Sequence, residues 1–303
     1  MQRAGSKRSS PVAFGLAICA LLCACGSTAT EHVNQHVVKT SDKVAYTHLV
    51  DCGDFGSCRL VIYVRAPAEG GPWPLILLVP GGPQPLLQQP SLVLGDLAPV
   101  LVQRGAVVMA IEWRQGPTYG AGFPREVEDV ACAIGVARKI APEYGADQSR
   151  VTLVGHSLGG WAGAVLTLTP QKYKPAAGTC NETAGWLRPD RFVSIAGALN
   201  EASETDDIPL SVQLGIDAAH AADADPFALI DRYPSGVPPL RLTLIHGTAD
   251  DQVPVKVSRE FRAAAIDRGY VVDLIEVAGA DHHGVLTAPL TASTIMAVAS
   301  GSG

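Results

Sequence analysis

From about residue 44 onward the chain alternates short, nearly continuous apolar runs with longer segments whose apolar residues recur on one helical face. Leu75-Ile76-Leu77-Leu78-Val79, stopped by Pro80-Gly81-Gly82-Pro83, has the length and flanks of a strand buried on both faces. So does the run at 106–113, and such strands point to a parallel sheet. Strand-like runs at 44–50 and 59–66 come before them, and runs at 151–155, 192–195, 240–245 and 271–277 come after. Helices are predicted at 125–139, 158–168, 255–268 and 286–298. In the first of these Val127, Val130, Ala131, Ile134 and Ala137 share a face. The alternation predicts a doubly wound, mostly parallel α/β sheet with helices on both faces. The least regular stretch, 198–237, reads as a small insert before the strand at 240–245. Its acidic residues Glu201, Glu204, Asp206 and Asp207 read as a solvated loop.

The N-terminus does not follow this pattern. Arg3, Lys7 and Arg8 precede an apolar segment from Pro11 to Ala24, too short to span a bilayer and suited to a signal sequence. It ends in Leu22-Cys23-Ala24-Cys25, which resembles a bacterial lipobox, with Cys25 as the lipidated residue. An ordinary secretory signal is the alternative, and both predict export. Residues 1–24 are therefore set aside as a signal, 25–43 read as a polar tether, and 44–303 as the folded domain. A lipid on Cys25 would be the one link to a membrane.

Composition narrows the function classes. Apolar residues make up 47% of the 303 and charged residues 17%, as expected of a sheet covered on both faces. The formal net charge is −6, and it becomes −9 once the three basic residues of the signal leave. No basic run exists beyond the first eight residues, which argues against a nucleic-acid partner. Of seven cysteines, Cys19 and Cys23 leave with the signal and Cys25 carries the lipid. Four remain, and four allow three pairings. Cys52 and Cys58 bracket a glycine-containing loop, so they pair most readily, and that leaves Cys132 with Cys180. Neither pair has C-x-x-C spacing or a nearby histidine, so no metal site is expected.

In an open α/β sheet the chemistry collects at the carboxyl ends of the strands. Gly155-His156-Ser157-Leu158-Gly159 stands between a strand and a helix, where an elbow would hold the Ser157 hydroxyl above the sheet. A serine hydroxyl needs a base, and the base needs an orienting carboxylate. Asp250 follows the strand at 240–245, with Asp251 beside it. His282 and His283 follow the last strand, in Gly279-Ala280-Asp281-His282-His283-Gly284. The order serine, aspartate, histidine is the one this architecture uses. An acyl-transfer intermediate needs two N–H groups aimed at its oxyanion. Leu158, after the nucleophile, would supply one. The Pro80–Pro83 loop would supply the other, from Gly82 ahead of Gly81, because Pro83 has no N–H.

Together these residues resemble the α/β-hydrolase superfamily, in particular its small esterase, acetyl-hydrolase and arylformamidase-like branch. Pro80-Gly81-Gly82 stands where that branch has H-G-G, and Glu112-Trp113-Arg114 is similar to its D-Y-R. Gly279-Ala280-Asp281-His282 is similar to its G-x-D-H-F, which implies His282 rather than His283 as the base. The resemblance implies a serine hydrolase acting on a small-molecule carboxylic ester of small or medium acyl size, with no metal or organic cofactor. The alternatives are an amide or peptide hydrolase on the same triad, and a catalytically silent surface scaffold.

Overall fold

Leu75, Leu77 and Val79 pack into one apolar cluster and Ile76 and Leu78 into another, and all five are buried. A strand of this kind needs cover on both sides, and each fully buried side chain contributes roughly 1.5–3 kcal/mol by leaving water. The computed structural model describes residues 38–82, 89–181, 187–200, 209–233 and 241–302. All of them fall in one compact unit, Val33–Gly303. The signal, Cys25 and the acidic residues Glu201, Glu204, Asp206 and Asp207 lie outside the described residues, as does Pro83.

In chain order the elements are β1 (Val38–Ala45), β2 (Val50–Asp51), β3 (Ser57–Cys58), β4 (Val61–Pro67), β5 (Trp73–Val79), α1 (Gln89–Gln103), β6 (Val107–Ile111) and α2 (Arg125–Ile140). There follow β7 (Ala146–His156), α3 (Leu158–Leu168), β8 (Arg191–Ile195), α4 (Leu210–Gln213), α5 (Ala221–Ala224) and α6 (Pro226–Ile230). The chain closes with β9 (Leu242–Gly247), α7 (Lys256–Asp267), β10 (Val272–Val277), α8 (Gly284–Thr287) and α9 (Pro289–Ser300). Eight strands form one sheet in the order β1-β4-β6-β5-β7-β8-β9-β10. From β6 to β10 every neighbour is parallel, and β4 runs antiparallel to both β1 and β6. One face is covered by α2, α3 and α7, through Val127, Ile134, Trp161 and Phe261. The other is covered by α1, α8 and α9, through Leu97, Leu101, Leu286 and Ile295.

This topology fixes where a site can lie. The chain steps from β5 to β6 on one side, then crosses back to place β7 on the other side of β5. The carboxyl ends of β5 and β7 therefore flank the switch-point crevice where ligands bind in open sheets. The Gly81-Gly82 loop follows β5 and Ser157 follows β7.

Several elements depart from the expected boundaries. β1 begins at Val38, inside the segment read as a tether, and stops at Ala45. Its Lys39-Thr40-Ser41-Asp42-Lys43 run is polar because an edge strand has little apolar surface to bury. The helix α1 was not expected, since Pro90, Gly95 and Pro99 break its apolar pattern. The last helix is divided at Ala288, which is extended (ψ 131°) before Pro289. The insert is not one irregular loop: its described part contains α4, α5 and α6. Disulfides join Cys52 to Cys58 and Cys132 to Cys180. Among the described residues no helix is long and apolar enough to cross a membrane.

Candidate active site

Ser157 has φ 54° and ψ −120°, a conformation that side-chain-bearing residues rarely adopt, between the last residue of β7 and the first of α3. The sharp turn is possible because its neighbours lack side chains. A Cβ on Gly155 would collide with the carbonyl oxygen of Gly159, and one on Gly159 with that of Val79. Backbone bonds hold the elbow from both sides: Ser157 N–H donates to the Ile195 carbonyl at 3.0 Å and Ala198 N–H to the Ser157 carbonyl at 3.2 Å. Leu158 opens α3, so its N–H is among those a helix leaves without an internal partner.

The loop after β5 lies directly against Ser157. A Cβ on Gly81 would come within 2.7 Å of Ser157 Cβ, and one on Gly82 would overlap the Gln115 side chain. Two side chains that follow β6 pin this loop. Trp113 Nε1–H donates to the Pro80 carbonyl at 3.1 Å, and Gln115 Nε2–H donates to the Gly81 carbonyl at 3.2 Å. The histidine usual at position 80 of this motif is thus replaced by a proline whose carbonyl the indole holds.

Asp250 and His282 meet across two loops. His282 Nδ1 is 2.8 Å from Asp250 Oδ2, and both residues are buried. Asp250 Oδ1 accepts the N–H groups of Gln252 at 3.0 Å and Val253 at 2.8 Å, an Asx turn that fixes the plane of the carboxylate. Burial works to raise the Asp250 pKa. The histidines His246 and His282 and the backbone N–H of Val253 outweigh it and hold the carboxyl well below the usual carboxylate range. His283 is exposed, as is Asp251. The structure therefore brings Asp250 and His282 together; His283 stacks edge-on against the His282 ring but makes no bond to Asp250. Asp281 Oδ1 accepts from His283 N–H and Gly284 N–H at the start of α8, which shapes the histidine loop.

His156, the residue before Ser157, packs against this pair. Its ring lies 4.8 Å from that of His282, centroid to centroid, and its Nε2–H donates to the His282 carbonyl at 3.0 Å. Burial pushes its pKa down to about 3, so it is a neutral spacer between Ser157 and the histidine loop.

The sequence reading gives no site role to Trp113, named only within Glu112-Trp113-Arg114, nor to Gln115, His156 and His246. The first two act on a loop more than thirty residues earlier, a pairing that no local motif encodes. His156 was read only as the variable position of G-x-S-x-G. His246 was passed over because it shares a loop with the acid, although its place at a strand end could have singled it out.

Beneath this face Glu126 is fully buried in the first turn of α2. Burial, with Asp129 adding to it, pushes its carboxyl up to about 8. The folded protein then keeps a proton that the unfolded chain releases near pH 4.5. Stability accordingly falls as pH rises from about 4.5 to about 8, by up to about 1.4 kcal/mol per pH unit. Glu126→Gln removes that loss. Its denaturant midpoint is expected to gain on the parent's steadily between pH 5 and pH 8, and a constant difference across that range would refute the assignment.

Among the described residues no three His, Cys, Asp or Glu side chains gather as a metal site would require. A family model described as BD-FAE matches residues 60–265. A curated relative, Esterase LipC of Mycobacterium tuberculosis (strain ATCC 25618 / H37Rv), is 29% identical over 248 residues, 76% of this chain. The chain spans 58% of the length of that relative. Among solved structures, a truncated form of a carbohydrate esterase from gut microbiota superposes with TM-score 0.65 at 19% identity, covering 89% of this chain and 97% of its own. The propionate-bound esterase Est2 of Thermogutta terrifontis superposes with TM-score 0.60 at 22% identity, covering 85% and 93%. Both share the fold of this chain, with helices on both faces of a mostly parallel sheet.

Proposed function

The chain belongs to the BD-FAE family, and on that premise we propose that it is an exported serine hydrolase that cleaves carboxylic esters through an acyl-enzyme. The observation that carries this reading is the buried Asp250–His282 pair, 2.8 Å apart, with the His282 ring 4.8 Å from that of His156, the residue before the strained Ser157. Ser157 Oγ attacks the ester carbonyl while His282 Nε2 takes its proton. Asp250 balances the imidazolium through Nδ1–H. The oxyanion is held by the N–H groups of Gly82 and Leu158. Collapse expels the alcohol, which receives its proton from His282, and water repeats the sequence on the acyl-enzyme. No metal or organic cofactor enters the scheme.

The name of the curated relative supports ester hydrolysis, and the propionate bound to the Thermogutta terrifontis esterase supports a small or medium acyl group. The short insert between β8 and β9 supports it too, since it leaves room for only a modest cap. Export is supported by the signal-like N-terminus and by the two disulfides, which persist in oxidising compartments. A lipid on Cys25 would tether the enzyme to the cell envelope. The test is labelling with a fluorophosphonate probe beside a series of p-nitrophenyl esters of increasing acyl length. Stoichiometric labelling of the peptide that carries Ser157, with turnover highest on short acyl groups, is the expected result. A folded protein that takes no label would end the reading, and faster turnover of peptide anilides than of esters would turn it toward amide hydrolysis.

A further inference from the structure

His246 has no part in the scheme above, yet it is fully buried beside the catalytic acid. It is the penultimate residue of β9, four residues before Asp250. Its Nε2 lies 2.8 Å from the Val253 carbonyl oxygen and 3.3 Å from Asp250 Oδ2. Its Nδ1 lies 2.7 Å from Ser258 Oγ, a buried hydroxyl on α7. A carbonyl oxygen only accepts, so Nε2 carries the hydrogen and shares it between Val253 and Asp250. Nδ1 then accepts from the Ser258 hydroxyl. The tautomer and the ring plane are both fixed, by groups on two different elements.

Asp250 Oδ2 is also the oxygen that accepts His282 Nδ1–H at 2.8 Å. One carboxylate oxygen therefore faces two imidazole N–H groups, while Oδ1 takes two backbone N–H groups. A carboxylate has about four lone-pair sites, and here each has a donor.

We propose that His246 is a positioning residue for the catalytic acid: a second imidazole, locked by Ser258 and Val253, that holds the Asp250 carboxylate in the plane His282 requires and shares its charge. This rests on the ester-hydrolase reading. With four donors the carboxylate does not turn about its Cβ–Cγ bond when His282 becomes charged, so no reorganisation is needed at the moment of proton transfer. Sharing Oδ2 also tempers the pull of Asp250 on the His282 proton. Without His246, the less-solvated carboxylate binds the imidazolium more strongly. The other titratable groups around this cluster are His156 on β7, His283 in the histidine loop and Glu276, which pairs with His246 across β10. Arg259 on α7 takes up the Glu276 charge through bonds of 2.6 and 2.8 Å. None of these groups is altered by the substitutions below.

The experiment compares His246→Leu, His246→Gln and Ser258→Ala with the parent, measuring kcat, KM and the pH profile of kcat/KM on a p-nitrophenyl ester. Leucine removes the donor and keeps an apolar side chain of similar bulk. The glutamine amide places an N–H close to where Nε2–H stood. His246→Leu is expected to lower kcat by about 10–100-fold with KM nearly unchanged, as loss of an interaction made in the transition state requires. Its acid limb is expected to move up by roughly half a pH unit, because Asp250 now holds the His282 proton more tightly. His246→Gln is expected to recover about tenfold of that loss, with the acid limb back at the parent's position. Ser258→Ala, which frees the ring to turn, should lower kcat by about three- to fivefold.

Parental kcat and an unmoved acid limb in His246→Leu would overturn the proposal. So would an equal kcat loss in His246→Leu and His246→Gln with the limb unmoved in both, since packing alone would then explain it. Should His246→Leu fail to fold, parental kcat and profile in Ser258→Ala overturn it instead, and a kcat loss there with KM retained supports it. Absence of turnover in the parent would be a failure of the ester-hydrolase reading, and so is separable from failure of the His246 assignment.

Discussion

Ser157→Ala is expected to lower kcat on short p-nitrophenyl esters by about 10⁴–10⁶-fold, because the nucleophile and its base act as one unit. The substitution removes a single oxygen. It leaves the glycines that allow the elbow, the Ile195 and Ala198 backbone bonds and the Asp250–His282 pair untouched. Alanine meets the same positive φ as serine at this position, so the variant should unfold within about a degree or two of the parent. Residual turnover above the uncatalysed rate is expected from the oxyanion donors and from substrate binding alone. Fluorophosphonate labelling should vanish altogether, since the hydroxyl that the proposed scheme makes the nucleophile is gone. Undiminished turnover in a folded variant would show that another group is the nucleophile.

The parts of this protein that were legible in its sequence are those in which one segment carries the whole signal. The strands β5, β6 and β7 are buried on both faces and announce themselves as unbroken apolar runs. The elbow is legible because the two glycines, the strand before it and the helix after it are contiguous. β1 and α1 were obscured for opposite reasons. β1 is an edge strand with a polar sequence, and α1 contains prolines that read as stops while Leu97, Leu101 and Val102 still bury it. In the candidate site, the approach of Asp250 to His282 could be read by type and order. The groups that hold them could not, because Trp113, Gln115 and His246 act on backbone or carboxylate oxygens brought near by the sheet. The choice between His282 and His283 shows the limit plainly. Adjacent in sequence, they differ by which one the turn at Asp281 directs inward to Asp250.

Asp250→Asn is the other change with a large expected effect, about 10⁴-fold in kcat. The asparagine is isosteric, and its Oδ1 can keep the two backbone bonds from Gln252 and Val253, so the loop should keep its shape, while loss of the buried, hydrogen-bonded carboxylate lowers the unfolding midpoint. Its amide NH₂ must then occupy the place of Oδ2, where two imidazole N–H groups now point. Donor facing donor is untenable in a buried site. His246 is held by Val253 and Ser258 and cannot turn its hydrogen away. His282 has no such second anchor on Nδ1, so it is the ring that yields: Nδ1 becomes an acceptor of the amide and the hydrogen moves to Nε2. In that tautomer Nε2, the atom the proposed scheme uses as base, has no lone pair to receive a proton, and the serine is no longer activated. KM should change little, because both Asp250 side-chain oxygens are already taken up by protein N–H groups. Fluorophosphonate labelling should slow in parallel with kcat, since both require the same proton transfer. A variant that labelled at the parental rate would mean that Asp250 is a structural turn residue and that His282 draws its orientation from His156 instead.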